Sequence, residues 1–182
     1  MEQIQRQLHK LKPYKAPGPD RIPNIVLTKC AHLLTDSLFQ IYEAMFEKNL
    51  LYKPWKHFTT VVLRKLGKPC YNISKAYRPI VLLNTMWKVL TAIVAEQLTF
   101  IMEKYQLLPD NHFRGRPGCT TMDAMHLLAH KIKTSWRAGK VTLVLFLDIE
   151  GTFPNVVPSY LVHNLRKRKV PSKIVNFVHN ML

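Results

Sequence analysis

The sequence is poor in acidic residues. Only 11 Asp and Glu stand against 27 Lys and Arg in 182 residues, which gives a formal net charge of +16 and a pI near 10.0. Such an imbalance argues against a neutral metabolic enzyme of this size and indicates a polyanionic partner. Because 47% of the residues are apolar and 10% are aromatic, a disordered basic tail is also excluded, and we expect binding on a folded surface.

Cysteines and long apolar runs are scarce as well. Cys30, Cys70 and Cys119 are widely separated and have no zinc-ligand spacing, so we expect a reduced, intracellular protein without structural zinc. The best apolar run, Val141 to Leu147, is far shorter than the roughly 20 residues that span a bilayer. No signal-peptide pattern opens the chain. We therefore expect a soluble chain with no membrane partner.

Apolar spacing predicts a helix-rich α+β fold. A polar helix within Met1 to Lys12 ends at the Pro- and Gly-rich turn Lys15 to Asp20, and a long helix follows Pro23, running from Ile25 to Phe46. Further helices are predicted after Asn84 and Thr120, from Ser159 to Lys169 and beyond Pro171. The helix after Thr120 is expected to bury the stripe Met125, Leu128, Ile132 and Trp136.

Three segments have the composition of strands. Phe58 to Leu66 is rich in Thr and Val and runs into a basic Gly-Pro turn, and a hairpin with Tyr77 to Leu83 is compatible with that pattern. Val141 to Leu147 is almost continuously apolar, which predicts a strand buried on both faces, with Asp148 at its exit.

Asp148 is the candidate for metal chemistry. A carboxylate held just after a buried strand sits on a rigid element, as phosphoryl-transfer sites require. Strand geometry puts Glu150 on the same side and leaves the backbone carbonyl of Ile149 as a further oxygen ligand. On the pattern alone, an Asp that favours a turn after a strand explains the residue as well.

Six segments, in this order, resemble the fingers and early palm of reverse transcriptases from non-long-terminal-repeat retrotransposons. They are K-A-P-G-P-D (Lys15 to Asp20), W-K (Trp55, Lys56), R-K-L-G-K-P (Arg64 to Pro69), Y-R-P-I-V-L-L (Tyr77 to Leu83), N-H-F-R-G-R-P-G-C-T-T-M-D-A (Asn111 to Ala124) and L-F-L-D-I-E-G-T-F-P-N-V (Leu145 to Val156). Each motif alone is only weakly specific for this family, but the order and spacing of all six together are specific for it. The resemblance implies a right-hand polymerase architecture, with residues 1–138 fingers-like and 139–182 a partial palm.

The resemblance also implies roles for matching residues. Asp148 would be the first metal-binding aspartate, and the Ile149 carbonyl would join it on Mg²⁺. Residues implied to contact the nucleotide are Arg78, Lys65, Lys68, Phe153 and Arg116; residues implied to contact nucleic acid are Lys15, Arg166, Lys167, Arg168 and Lys169. The implied partners are an RNA template, a DNA primer and deoxynucleoside triphosphates, and the family's use of chromosomal DNA as primer implies a nuclear location.

Structural alternatives stay open for most of these residues. Phe153 fits a core aromatic, Arg116 a solvated loop arginine, and the run Arg166 to Lys169 a solvated helix end. Trp55, Trp87 and Trp136 are expected to be core anchors, because their neighbours are apolar.

The chain departs from the family in its carboxylates. The family supplies further metal ligands from a downstream Tyr-x-Asp-Asp hairpin, whereas no Asp or Glu follows Glu150 here, so we expect the isolated chain not to polymerise. Arg114, Cys119 and Thr152 also depart from the family's usual residues. Two other interpretations remain: a non-catalytic basic module that binds nucleic acid, and a decayed retroelement product that does not fold by itself.

Overall fold

A computed structural model describes residues 1–149 and 155–182. The described residues form seven α-helices and a two-stranded sheet, so the α+β prediction is confirmed. The elements are α1 (Glu2–His9), α2 (Asn24–Lys29), α3 (Ala31–Glu47), β1 (Phe58–Arg64), β2 (Tyr77–Leu83), α4 (Thr85–Lys104), α5 (Thr121–Arg137), α6 (Pro158–Lys167) and α7 (Ser172–Met181). Single turns of 3₁₀-helix cover Lys53–Lys56 and Ser74–Ala76. None of the described helices has the length and apolar character needed to cross a membrane.

The chain divides into two compact units. Unit 1 comprises Met1–Glu96 and Ser172–Leu182, and unit 2 comprises Gln97–Pro171. The division into fingers and palm near residue 138 stays a prediction.

A series of aromatic rings forms the centre of unit 1. The ring centroids of Trp55 and Trp87 are 6.2 Å apart, and those of Trp87 and Phe177 are 6.0 Å apart. Phe46 of α3 stacks on Phe177 of α7 with centroids at 4.5 Å. Both tryptophans are buried, as the sequence predicted. At the edge of this core the Tyr42 hydroxyl donates to the Met86 carbonyl at 2.7 Å, and burial raises the pKa of that phenol.

The predicted helix from Ile25 to Phe46 is interrupted. Cys30 separates α2 from α3 with backbone angles outside the helical range, φ −92° and ψ 13°. Thr28 on α2 donates its hydroxyl to the Leu8 carbonyl at 3.4 Å and to the Asn24 carbonyl at 3.0 Å. The break therefore divides the predicted helix at Cys30, and Thr28 attaches α2 to the end of α1.

The junction between β2 and α4 is pinned by the turn at Lys15 to Asp20. A Cβ atom at Gly18 would lie 2.5 Å from the Asn84 nitrogen and 2.6 Å from the Leu83 carbonyl oxygen, so only glycine fits there. Asn84 accepts from the Asp20 nitrogen at 3.2 Å and donates to the Pro54 carbonyl at 3.4 Å. Asn84 precedes α4 as predicted, but its side chain joins these segments, which differs from the predicted helix cap.

The start and end of α5 follow the prediction, but its burial does not. Thr120 and Asp123 form a capping box, in which the Thr120 nitrogen donates to Asp123 Oδ2 at 2.6 Å, and Gly139 follows the helix with φ at 67°. The predicted buried stripe is wrong, because no residue of α5 is buried and Trp136 is 65% exposed. Helical spacing gives a helix an apolar side, but the described residues place no covering surface over this one.

The predicted strand over Val141 to Leu147 is also wrong. These residues adopt no regular secondary structure, and Val141 and Leu143 are 97% and 94% exposed. A strand exists through hydrogen bonds to a neighbouring strand, and the described part of the chain places none beside this segment. Apolar composition therefore predicted a strand here, but composition does not identify the neighbouring strand to which it would hydrogen bond.

Candidate nucleotide and nucleic-acid site

The β1–β2 hairpin lies in a strongly cationic stretch. Between Glu47 and Glu96 every charged residue is Lys or Arg. The strands pair antiparallel with Phe58 opposite Leu83 and Arg64 opposite Tyr77, and every β1 side chain is exposed. Arg64 and Arg78 therefore place positive charge on a hydrogen-bonded backbone, and no described acidic side chain forms an ion pair with either of them.

The loop that joins β1 to β2 is closed by its own side chains. Lys65 donates its backbone nitrogen to the Ala76 carbonyl and its ammonium Nζ to the Lys75 carbonyl, both at 2.8 Å. The Tyr71 hydroxyl donates to the Lys65 carbonyl at 2.9 Å, and the Arg64 guanidinium lies 5.4 Å from the Tyr71 ring centroid. The three hairpin cations predicted to contact a nucleotide are Lys65, Lys68 and Arg78. Lys65 also stabilises the loop through these hydrogen bonds.

Arg78 and Lys68 are differently placed. Arg78 stands on β2 opposite Leu63, so its backbone is fixed by the ladder while its side chain is exposed. Lys68 is exposed in the turn after Gly67, whose φ of 74° favours glycine. Within residues 1–149 and 155–182, neither side chain has a hydrogen bond or ion pair. Both cations are available to an anionic ligand.

Arg116 in unit 2 is already paired. Its Nε and NH2 donate to the two carboxylate oxygens of Glu103 at 2.9 and 2.8 Å, and its NH1 donates to the Pro109 carbonyl at 3.2 Å. The hydrogen bond from Arg116 holds the pKa of the Glu103 carboxyl below its usual range, and the same bond raises the pKa of Arg116. Arg116 therefore fastens the loop to the last turn of α4, and its predicted contact with a nucleotide stays a prediction.

Asp148 is exposed, and its Oδ1 accepts from the Ile149 nitrogen at 2.9 Å. The described residues contain no group of three or more His, Cys, Asp or Glu side chains placed to hold a metal ion. They therefore do not make up a complete two-metal site, which needs several converging carboxylates. Glu150, Thr152 and Phe153 lie outside the described residues, so the predicted aromatic contact with the nucleotide sugar stays a prediction.

The residues predicted to contact nucleic acid are on the surface. Lys15 is exposed in the Pro- and Gly-rich turn, and Arg166 to Lys169 are exposed at the end of α6. Lys169 has a positive φ of 57°, and its nitrogen donates to the Arg166 carbonyl at 2.9 Å. Their exposure is compatible with phosphate contact and with solvated charge alike.

Sequence reasoning missed one polar cluster. Glu96 on α4 accepts from Arg6 at 2.9 Å and from Gln7 at 3.2 Å, and it lies 3.7 Å from the Lys10 ammonium. This cluster ties α1 to α4 within unit 1. The sequence indicates only that Glu96 lies in a basic region and could form an ion pair. The fold is needed to identify which of the many cations it contacts.

Comparison of the sequence with known proteins identifies the family of this chain. Residues 64–182 match the family model described as reverse transcriptase (RNA-dependent DNA polymerase). The chain is 28% identical over 167 residues to the "Probable RNA-directed DNA polymerase from transposon BS" of Drosophila melanogaster, covering 92% of this chain and 18% of that protein.

Two further Drosophila melanogaster relatives agree with this assignment. The chain is 30% identical over 142 residues to the "Probable RNA-directed DNA polymerase from transposon X-element", covering 78% of this chain and 16% of that protein. It is 24% identical over 186 residues to the RNA-directed DNA polymerase from mobile element jockey, covering 100% of this chain and 20% of that protein. The chain thus spans a fifth or less of the length of these relatives. It belongs to the reverse transcriptase (RNA-dependent DNA polymerase) family and is similar to the polymerases of non-long-terminal-repeat retrotransposons.

Proposed function

We propose that the chain is the fingers and early palm part of an RNA-directed DNA polymerase, and that its β1–β2 hairpin binds the phosphates of an incoming deoxynucleoside triphosphate. Family membership supports the reaction class. The observation that carries the assignment to the hairpin is Arg78, an exposed guanidinium on a hydrogen-bonded strand, with no partner among the described side chains.

The chemistry of Arg78 suits this role. A guanidinium offers paired N–H donors that match the oxygens of a phosphate, and its charge does not change at neutral pH. Lys68 would add a point charge from the turn, and Lys65 would contribute the donors of its ammonium that the Lys75 carbonyl does not use. The absence of any acid between Glu47 and Glu96 leaves this charge uncompensated within the segment.

Template and primer would lie against other cations. We assign phosphate contacts of an RNA template and DNA primer to Lys15 and to the run Arg166 to Lys169, because both are exposed and basic. Asp148 would be the first metal-binding carboxylate, with the Ile149 carbonyl beside it on Mg²⁺. Phe153 would lie under the sugar of the nucleotide.

The isolated chain is proposed to be inactive as a polymerase. No Asp or Glu follows Glu150, and two-metal transfer needs further carboxylates. The test is incorporation of a labelled deoxynucleotide on a primed RNA template, with the Asp148→Ala variant as control. We expect no incorporation by either chain. Incorporation by the unaltered chain that Asp148→Ala abolishes would contradict the proposed inactivity while supporting the role of Asp148.

A second candidate function is a non-catalytic nucleic-acid-binding module, which the net charge of +16 and the exposed cations favour. It predicts binding that weakens steeply with salt for any polyanion. The two functions differ in their ligand: the polymerase part distinguishes a triphosphate from a monophosphate at the hairpin, whereas a general basic surface responds mainly to the number of phosphates along a strand.

A further inference from the structure

Tyr71 lies in the middle of the loop between β1 and β2. Its side chain is half-buried, whereas the residues on either side of it, from Leu66 to Cys70 and from Asn72 to Lys75, are exposed. The Tyr71 hydroxyl donates to the Lys65 carbonyl at 2.9 Å, and the Tyr71 carbonyl accepts from the Tyr77 hydroxyl at 3.0 Å. A single loop residue therefore connects the end of β1 to the start of β2.

The Tyr71 ring packs on one face of the hairpin. The Arg64 guanidinium lies 5.4 Å from the ring centroid, and the centroid of the Tyr77 ring is 6.2 Å away at an interplanar angle of 70°. Arg64 and Tyr77 are partners in the ladder, so their side chains share a face. Because successive residues of a strand point to opposite faces, Arg78 lies on the other face. Tyr71 therefore does not compete with Arg78 for a ligand.

Lys65 is attached to the loop through three of its groups. Its backbone nitrogen donates to the Ala76 carbonyl at 2.8 Å, its carbonyl accepts from Tyr71, and its ammonium donates to the Lys75 carbonyl at 2.8 Å. An ammonium has three donors, so the remaining ones can reach phosphate oxygens. Of these three contacts, only the one from Tyr71 comes from a side chain other than that of Lys65. A substitution at Tyr71 can therefore release the Lys65 backbone while leaving its ammonium in place.

The loop needs such contacts because its charges have one sign. Lys65, Lys68 and Lys75 are its charged residues, and no acid lies among them. Like charges repel and favour extended conformations of a chain segment. A loop that becomes ordered only when a ligand binds loses affinity to the entropy of ordering. The contacts of Tyr71 order this loop before any ligand arrives.

We propose that Tyr71 is a positioning residue of the hairpin phosphate site and that it acts through Lys65. This inference rests on the nucleotide-binding function proposed above. The Tyr71 hydroxyl holds the Lys65 backbone, so that the Lys65 ammonium is directed to the same anion that Arg78 contacts from the ladder. Tyr71 itself does not contact the nucleotide.

Tyr71→Phe tests the role of the hydroxyl, because it keeps the ring. We expect the affinity of the full chain for a fluorescent deoxynucleoside triphosphate to fall roughly fivefold, as for the loss of one hydrogen bond. The matched control is Tyr14→Phe; Tyr14 is 92% exposed, and its affinity should stay within about twofold of the unaltered chain. In the ligand-free chain, ¹⁵N relaxation should show greater mobility of the amides from Lys65 to Ala76 in Tyr71→Phe alone.

A double-mutant cycle tests whether Tyr71 acts through Lys65. Lys65→Met removes the ammonium and keeps an unbranched side chain. In that background, Tyr71→Phe is expected to change the triphosphate affinity by less than about twofold, because the group that the hydroxyl positions is absent. A purely structural role would weaken binding by the same factor in both backgrounds.

The outcomes separate this inference from the function on which it rests. If the unaltered chain prefers the triphosphate to the monophosphate but Tyr71→Phe leaves that affinity unchanged, or lowers it equally in both backgrounds, the role of Tyr71 is overturned and the hairpin site stands. If the unaltered chain shows no preference for the triphosphate, the hairpin site is overturned and the role of Tyr71 with it, whatever the mobility of the loop amides.

Discussion

Arg116 and Glu103 form a two-pronged ion pair, with Nε to Oε1 at 2.9 Å and NH2 to Oε2 at 2.8 Å. The pair joins a Gly- and Pro-containing loop to the end of α4. It explains why this loop arginine is oriented toward its own chain, where the sequence suggested either a ligand contact or a solvated side chain.

The pair sets the titration of Glu103. The hydrogen bond from Arg116 lowers the pKa of the folded carboxyl, so its stabilising contribution is present at neutral pH and is lost as the pH falls through that lowered value. Arg116→Lys keeps the positive charge but loses the two parallel N–H donors that bind both carboxylate oxygens of Glu103. We expect the pKa of Glu103 to rise toward its usual value in this variant, measured by NMR titration of the side-chain carboxyl carbon. Arg114→Lys, an exposed change in the same loop, is the control; an equal shift there would argue against the pair as the cause.

Gly18→Ala is expected to destabilise the junction of β2 and α4. The added Cβ would lie 2.5 Å from the Asn84 nitrogen, which is backbone and cannot turn aside. Overpacking of this kind costs about 1–3 kcal/mol, measurable as a lower midpoint in urea unfolding. Lys15→Ala, an exposed change in the same turn, should stay within roughly 0.5 kcal/mol. Full stability of Gly18→Ala would mean that the turn does not pack on the junction as described.

Phe177→Ala is expected to remove a central part of the unit 1 core. Phe177 is 2% exposed and contacts the rings of Phe46 and Trp87. Truncation of a buried Phe costs about 3–5 kcal/mol. The matched control is Phe100→Ala, whose side chain is 62% exposed and whose loss should have little effect. Similar unfolding free energies for the two variants would contradict the packing of α7 against α3 and α4.

Local patterns predicted most of unit 1, and the misses have a common physical cause. Periodicity and turn chemistry were sufficient for α1, α4 and the buried Trp55 and Trp87, because those elements cover one another within the described chain. They were also sufficient for the β1–β2 strands, which hydrogen bond to one another although their side chains are largely exposed. Val141 to Leu147 and the α5 stripe with Trp136 have equally apolar sequences, yet they remain exposed. An apolar pattern indicates that a segment needs a covering surface, but it does not identify which part of the chain provides that surface.

The candidate site shows the same division between local and tertiary information. The exposed position of Arg78 follows from a short strand and its register. The attachment of Arg116 to Glu103 and the convergence of Arg6, Gln7 and Lys10 on Glu96 depend on tertiary contacts, and in a chain with so many cations no spacing rule selects those partners.

The most direct test of the hairpin as a nucleotide-phosphate site is the affinity of the chain for a fluorescent deoxynucleoside triphosphate, compared with the monophosphate, at one fixed salt concentration. We expect the triphosphate to bind at least about tenfold more tightly, and Arg78→Ala to remove about that advantage, since a charge-assisted hydrogen bond contributes roughly 1.5–3 kcal/mol. Lys29→Ala, which removes an exposed cation from α2, should leave it intact. Equal, small losses in Arg78→Ala and Lys29→Ala would contradict the account and leave only general binding by a basic surface.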